Sequence, residues 1–428
     1  MKINRNIAPT ITNIRHIPFV KPEEEVLHDR IPLYIYTKND MNIVRVDIIF
    51  KAGTWYEPSP LVSEFCFAML TEGSRSFSSR QIAEILELYA INLLAESSKD
   101  YGHISFVCLN KHLAPAIEVI KDIILYPVFP MEELSLHKNR KKERFIIEQN
   151  KVSTLARQQF MSSLFGDNHP YGKHIIPTYF DAIDKSALQD FHSTHFIANN
   201  CVIVLSGNIG TKERQLIAYA LKDMPNDILR QETIIHEINP TDKKRHIIHK
   251  SDAMQSAIRI GCRTINKHHP DFIGLSIVSS MLGGYFGSRL MKNLREDKGY
   301  TYGVSCHLLS FVHEGFLSIQ TETGTEYTQA SIEEIYAEIK KMKEEKINEK
   351  ELSLVKNYLL GQVLRRFDGT FNIADSIISI ICHNRDFTYY QTMIEKIKNI
   401  TASDIQALAN TYLQEKHMIE VIAGSYNE

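Results

Sequence analysis

Glu133-Leu134-Ser135-Leu136-His137-Lys138-Asn139 returns as Glu351-Leu352-Ser353-Leu354-Val355-Lys356-Asn357, six identities in seven positions at an offset of 218 residues. Such a repeat outranks any local motif as a fold signal, because it states how many copies of one unit the chain holds. Upstream of each copy lies a short alternating run, residues 44–50 and 256–261, offset by 212. Alternation of apolar and polar residues predicts a half-buried strand in both places. Each run continues through a proline-containing loop (Pro58 and Pro60; Pro270) into an apolar helical pattern that ends in Met69-Leu70 and Met281-Leu282. Downstream, residues 201–207 and 418–424 are apolar runs stopped by glycine, offset by 217. Three landmarks at nearly constant spacing give two copies of one α+β unit of roughly 210 residues, each a sheet of alternating strands covered by helices such as 131–151 and 332–346. The polar, proline-containing stretch 237–245 is the natural linker, which puts the first half at 1–235 and the second at 236–428.

Composition narrows the classes of function. With 428 residues, 43% hydrophobic and 23% charged, the chain is an ordinary globular one with room for sizeable cores. Its 49 basic and 51 acidic residues leave a net charge of −2, without the positive field that draws nucleic acid or anionic lipid. No nucleic-acid partner is expected. No stretch approaches the ~20 apolar residues of a membrane span, and residues 1–13 contain no apolar core of a secretory leader. Six cysteines, at 66, 108, 201, 262, 306 and 382, are scattered singly, which argues against a disulfide framework or a zinc knuckle. A cytoplasmic location is the expectation.

The sequence lacks the signatures of self-sufficient hydrolases. No His-x-x-x-His pair flanks a glutamate, and no Gly-x-Ser-x-Gly elbow or phosphate-binding loop occurs. The pairs His192/His195 and His246/His249 are spaced by three, and His268/His269 are adjacent. None has a neighbouring carboxylate placed as a base, and all are expected to be packing or surface residues. Gly283-Gly284-Tyr285-Phe286-Gly287 follows a helical pattern rather than a strand, and is expected to be a helix end and turn.

The densest remaining segment is Gly287-Ser288-Arg289-Leu290-Met291-Lys292-Asn293-Leu294-Arg295-Glu296-Asp297-Lys298-Gly299-Tyr300-Thr301-Tyr302-Gly303-Val304. It resembles the "SRL…LRE-x-x-G-x-x-Y" signature in the second half of the M16 (insulinase or pitrilysin-like) zinc peptidases. Further landmarks agree: Gly53-Thr54-Trp55-Tyr56-Glu57, Glu72-Gly73-Ser74, His169-Pro170-Tyr171-Gly172 and Gln255. The resemblance spans essentially the whole chain. It implies two homologous halves, each a mainly antiparallel sheet covered by helices, forming a clam-like chamber for peptides.

The resemblance also implies where a zinc site would lie: His-x-x-Glu-His just before the Met-Leu pair of the first long helix. The five positions here are Glu64-Phe65-Cys66-Phe67-Ala68. Phenylalanine and alanine offer no lone pair, so the three protein ligands of a catalytic zinc are missing. The remaining carboxylates are Glu64 and, in the helix of the family's third ligand, Glu143 and Glu148. They are expected to be solvated or paired with Arg144 and its neighbours. No metal is expected in this chain.

Arg295 and Tyr302 match the arginine and tyrosine, seven residues apart, that in this family hold the substrate backbone and support the oxyanion. A chain that keeps this pair and lacks the zinc ligands is similar to the non-metal subunit of the two-chain bacterial branch. The implied function is to supply catalytic and substrate-binding Arg295 and Tyr302 to the zinc site of an M16-like partner carrying His-x-x-Glu-His, with peptides as substrates. The alternative is a catalytically inactive M16-fold scaffold or peptide-binding protein. In isolation such a chain is open to homodimerisation.

Overall fold

The computed structural model describes residues 21–226 and 234–426, with Ile14 and Ile17; the expectation about a leader falls on residues 1–13, outside the described residues. The first sheet contains β1 (Glu23–Leu27), β2 (Ile31–Thr37), β3 (Ile43–Phe50), β4 (Asn92–Ser97), β5 (Gly102–Leu109) and β6 (Cys201–Gly207), in the order β1-β2-β6-β3-β5-β4. The second contains β7 (Arg245–His249), β8 (Gln255–Thr264), β9 (Thr301–Ser310), β10 (Gly315–Gly324) and β11 (Ile419–Gly424), in the order β7-β11-β8-β10-β9. With β1 set aside, the two orders are the same. In each sheet the closing strand runs parallel to the first strand and antiparallel to the second, and the remaining pairings are antiparallel.

The duplication extends to register. Val46 lies opposite Leu205 in the first sheet and Ile258 opposite Ile422 in the second, and these are the pairs that the sequence offsets of 212 and 217 map onto each other. The terminal glycines are equivalent as well. Gly207 (φ +117°) sits so close to β3 that a Cβ would lie 2.1 Å from the Ile43 carbonyl oxygen. Gly424 (φ +158°) meets the Gln255 carbonyl oxygen in the same way, at 2.9 Å. Only glycine fits such a close approach without strain.

The helices bearing the repeated heptapeptide are Met131–Glu148 and Glu349–Arg366. The first is shorter than the expected 131–151, because Lys151 adopts extended backbone and caps a new helix, Val152–Phe165. This second helix leaves its own sheet. Its Ala156, Phe160 and Leu164, four residues apart and so on one helix face, pack with Ala257, Phe316 and Val421 of the other half. The matching helix of the second half, Thr370–Cys382, crosses the opposite way onto β2 and β6, where Ile373 and Ile377 share a core with Ile49 and Val204. Each fully buried aliphatic or aromatic side chain contributes roughly 1.5–3 kcal/mol, so this exchange binds the halves strongly. Arg45 on β3 adds a polar tie, reaching Asp47 at 2.9 Å and Asp375 of the crossing helix at 2.7 Å.

Residues 234–244 form neither helix nor strand between the sheets. The segment runs past the end of the Val152–Phe165 helix, where Thr241 N–H donates to the Ser163 carbonyl at 3.0 Å. The expected helix 332–346 is observed as Thr328–Glu344. All six cysteines are free thiols, five of them buried. Among the described residues, no helix is long and apolar enough to cross a membrane.

Candidate functional site

The helix that would carry zinc is Val62–Ala68, and it turns its middle into the first core: Phe65, Cys66 and Phe67 have no exposed surface. The Phe67 ring is seated against the backbone of Gly102, where a Cβ would lie 1.8 Å away. Burial pushes the Cys66 thiol up, and its Sγ contacts the Leu188 carbonyl, so it presents neither thiolate nor metal ligand. Glu64, on the outer face, is held by the Lys141 ammonium at 2.7 Å. Glu148 is paired with Lys151 at 2.7 Å, with weaker attraction from Arg144 and Arg157, and Glu143 is exposed. Among the described residues, no group of three His, Cys, Asp or Glu side chains is placed to hold a metal. The donor set does not fit zinc: one carboxylate is taken by an ammonium, and the flanking positions are hydrocarbon.

Arg295 and Tyr302 are presented differently. Arg295 lies on the wide, π-helical segment Met291–Asp297, anchored by buried Met291 and Leu294. Its guanidinium stacks over the exposed Phe286 ring at 4.8 Å, and among the described residues it makes no ion pair with Glu296 or Asp297. Tyr302 stands on edge strand β9, in a register shift between Thr321 and Thr323 of β10. Such a bulge re-aims a side chain, and here it is fixed by the Thr301 and Thr321 hydroxyls, both bonded to the Gly303 carbonyl at 2.9 Å. Tyr302 is 90% exposed. It borders a groove of about 570 Å³ over β8, β9 and β10, which also includes Arg259, Gln320, Glu322 and Ser153. Burial, reinforced by Arg157, pushes Arg259 down to about 10.

Another cleft, of about 350 Å³, includes Glu64. Five cations line it, Lys99, Lys141, Arg144, Arg157 and Lys173, against two carboxylates, Glu64 and Glu148. Burial, followed by repulsion from Arg157, lowers the Lys99 ammonium below its ordinary value, although Glu57 and Asp100 oppose this. Glu57, half-buried and near enough to Lys99 and Glu64 to feel their charges, is pushed up to about 7 by desolvation.

The family model for Insulinase (Peptidase family M16) matches residues 34–178, and that for the Peptidase M16 inactive domain matches residues 182–359. The chain belongs to the M16 peptidase family. Among M16 proteins, it is 25% identical to the uncharacterized zinc protease YmxG of Bacillus subtilis, over 76% of this chain and 80% of that one. It is 23% identical to the non-peptidase homolog YmxG of Helicobacter pylori, over 89% of each. The fold superimposes on a crystal structure of a peptidase M16 inactive domain from Pseudomonas fluorescens with a TM-score of 0.86, at 22% identity, covering 95% of this chain and 98% of that one.

Within this M16 frame, the histidine pairs are structural. His192 Nε2 meets the Ile124 carbonyl at 2.7 Å and His246 Nε2 the Lys243 carbonyl at 3.1 Å, in different halves. The glycine-rich segment is a helix end in which Ser280–Gly284 forms one wide turn broken at Gly283. Arg259, Arg157 and Lys173 escaped the sequence reading, because single basic residues on separate elements carry no spacing signal, and Arg144 was read only as an ion-pair partner.

Proposed function

We propose that this chain is the non-metal subunit of a two-chain M16 zinc peptidase acting on peptides, with the zinc site supplied by a partner carrying His-x-x-Glu-His. The observation that carries this reading is a contrast within one molecule. The zinc helix is filled with Phe65, Cys66 and Phe67, while Arg295 and Tyr302 stand exposed on rigid supports. A guanidinium fork and a phenol are donors suited to a substrate carbonyl whose oxygen gains negative charge, and they stabilise it most where partner and substrate exclude water. In this role Arg295 and Tyr302 bind and orient the scissile carbonyl, and the groove of β8, β9 and β10 accommodates the flanking peptide. The unpaired cysteines support a cytoplasmic setting.

The test is peptide hydrolysis by this chain reconstituted with an M16 partner that carries His-x-x-Glu-His. Arg295→Ala and Tyr302→Phe are each expected to lower kcat by about 10²–10³. Full activity in both variants, or failure of any such partner to associate, overturns the reading in favour of an inactive scaffold, a reading that also has support in the description of the Helicobacter pylori relative as a non-peptidase homolog.

A further inference from the structure

Asp47 on β3 and Arg259 on β8 occupy the same place in the two sheets, opposite Val204 and Val421 of the closing strands. Both lie where a helix crosses from the other half, but only one of the charges is matched. Asp47 is held by Arg45 and His103, each at 2.9 Å, and Arg45 reaches on to Asp375. Around Arg259 the corresponding positions are Ala257 for Arg45, at the offset of 212, and Ser318 for His103, in the same register. Asp375 itself corresponds to Arg157, at the offset of 218. One junction of helix and sheet is thus closed by opposite charges, whereas its counterpart brings two arginines close enough to repel.

Among the described residues, the Arg259 guanidinium makes no hydrogen bond or ion pair. Glu322 attracts it from beyond ion-pair distance, and this weighs less than burial and the repulsion from Arg157. The charge is felt across the groove: after burial, Arg259 is what holds the His307 imidazole on β9 below its ordinary value. Arg157 is exposed and drawn toward Glu148, but Arg259 is half-buried in the groove that Tyr302 borders. A guanidinium placed in this way is a fixed fork for a carboxylate that the protein itself does not supply. Its distance from the reacting centre follows from register. Arg259 faces Gln320 on β10, and Gln320 faces Ser305 on β9, three residues beyond Tyr302. Strands ~4.8 Å apart and residues ~3.4 Å apart put the two backbones about 14 Å from each other, the length of about four extended residues.

We infer that Arg259 selects peptides carrying an acidic side chain roughly two to four residues from the scissile bond, its guanidinium forking onto that carboxylate while Arg295 and Tyr302 hold the carbonyl. Gln320 and Ser305, lying between, offer an amide and a hydroxyl to the intervening peptide units. This inference rests on the proposed function, which brings a peptide into the groove.

The experiment uses fluorogenic alanine-based peptides blocked at both ends, with Glu, Gln or Lys placed at each position in turn on either side of the cleaved bond. With the reconstituted pair, kcat/KM for Glu is expected to exceed that for Gln at least about tenfold at one position. Arg259→Gln should bring this ratio to about one, and Arg259→Glu should turn the preference toward Lys. Thermal unfolding should not fall in Arg259→Gln, since a partly buried charge without a partner does not stabilise the fold; a merely structural arginine would lower it. Fluorescein-labelled Glu and Gln peptides, followed by anisotropy on the full chain alone, should show the same Arg259-dependent preference without any zinc-bearing partner. Cleavage with no Glu preference at any position overturns the inference and leaves the proposed function in place, as does a preference that survives Arg259→Gln. An Arg259-dependent preference in binding without cleavage of any peptide overturns the proposed function and retains the acidic-peptide site. Neither cleavage nor preference overturns both.

Discussion

The Lys141 ammonium is bound to the Glu64 carboxylate at 2.7 Å, across the space between the Val62–Ala68 and Met131–Glu148 helices. In M16 terms, an internal ion pair occupies the place where a divalent cation would be gripped from the same two helices. Both side chains are more than a third exposed, so the pair is screened. Glu64→Gln should therefore change unfolding free energy by less than about 1 kcal/mol. Chemical denaturation of the variant checks this expectation.

Phe67 occupies the position aligned with the family's catalytic carboxylate, and its ring fits against Gly102. Phe67→Ala should cost about 3–5 kcal/mol, and Gly102→Ala about 1–3 kcal/mol through overpacking. The double variant should lose clearly less than the sum, because shortening Phe67 makes room for the added methyl. Strict additivity in urea denaturation would refute this packing relationship. Reintroducing the zinc motif by substitution alone is correspondingly expected to give an unstable protein.

Arg45 is the principal charge partner of Asp47, whose carboxylate is fully buried and also touches His103 at 2.9 Å. Arg45→Ala should cost about 3–5 kcal/mol by leaving that carboxylate under-compensated. Asp375→Asn, at the exposed end of the same network, should cost less than about 1 kcal/mol. Thermal or urea unfolding distinguishes them, and equal effects would count against the buried-pair account.

Acid should weaken the fold. Burial, followed by His236, lowers His169 to about 4, and burial lowers His195 to about 4. Below the ordinary histidine value of about 6.5, the unfolded chain takes up protons that these native imidazoles refuse. Their contribution is thus complete at neutral pH and lost between about 6.5 and 4. Glu57 acts oppositely: raised to about 7 by burial, it contributes most below the ordinary carboxyl value and loses that contribution as pH rises to 7. Two imidazoles outweigh one carboxyl, so the urea midpoint should be lower at pH 5 than at pH 7, and His169→Gln should narrow the difference. The fluorescence of Trp55, the one tryptophan in the chain, reports it directly, because its ring stacks on His313 at 3.8 Å.

Stability and activity should separate at Arg295 and Tyr302. Tyr302 is 90% exposed and Arg295 is exposed over the Phe286 ring, so Arg295→Ala and Tyr302→Phe should shift unfolding by no more than about 0.5 kcal/mol. A large loss of stability in either would assign the pair a structural role instead.

Much of the fold was legible because duplication writes itself into spacing. The alternating runs at an offset of 212 and the glycine-stopped strands at 217 were enough to pair Val46 with Ile258 and Leu205 with Ile422. The crossing of Val152–Phe165 was not legible, since Ala156, Phe160 and Leu164 mark an apolar face without saying which sheet receives it. The break at Lys151 was missed for a related reason, as polar residues on both sides leave helical periodicity undisturbed. At the site, the failure of the zinc motif and the survival of Arg295 and Tyr302 were visible in residue identity alone. The cationic cleft was not, because Lys99, Arg144, Arg157 and Lys173 come together only when two helices and two loops fold over Glu64.

The exchange of helices between the sheets has a consequence for how the chain can be divided. A protease that nicked the backbone within 234–244 would sever the covalent link and leave one particle, since Val152–Phe165 and Thr370–Cys382 each hold the opposite sheet. A gene cut at the same point would yield two fragments, each missing a helix from its core and each carrying an apolar stripe with nowhere to lie. The repeat is thus two copies in sequence and a single unit of folding and of inheritance.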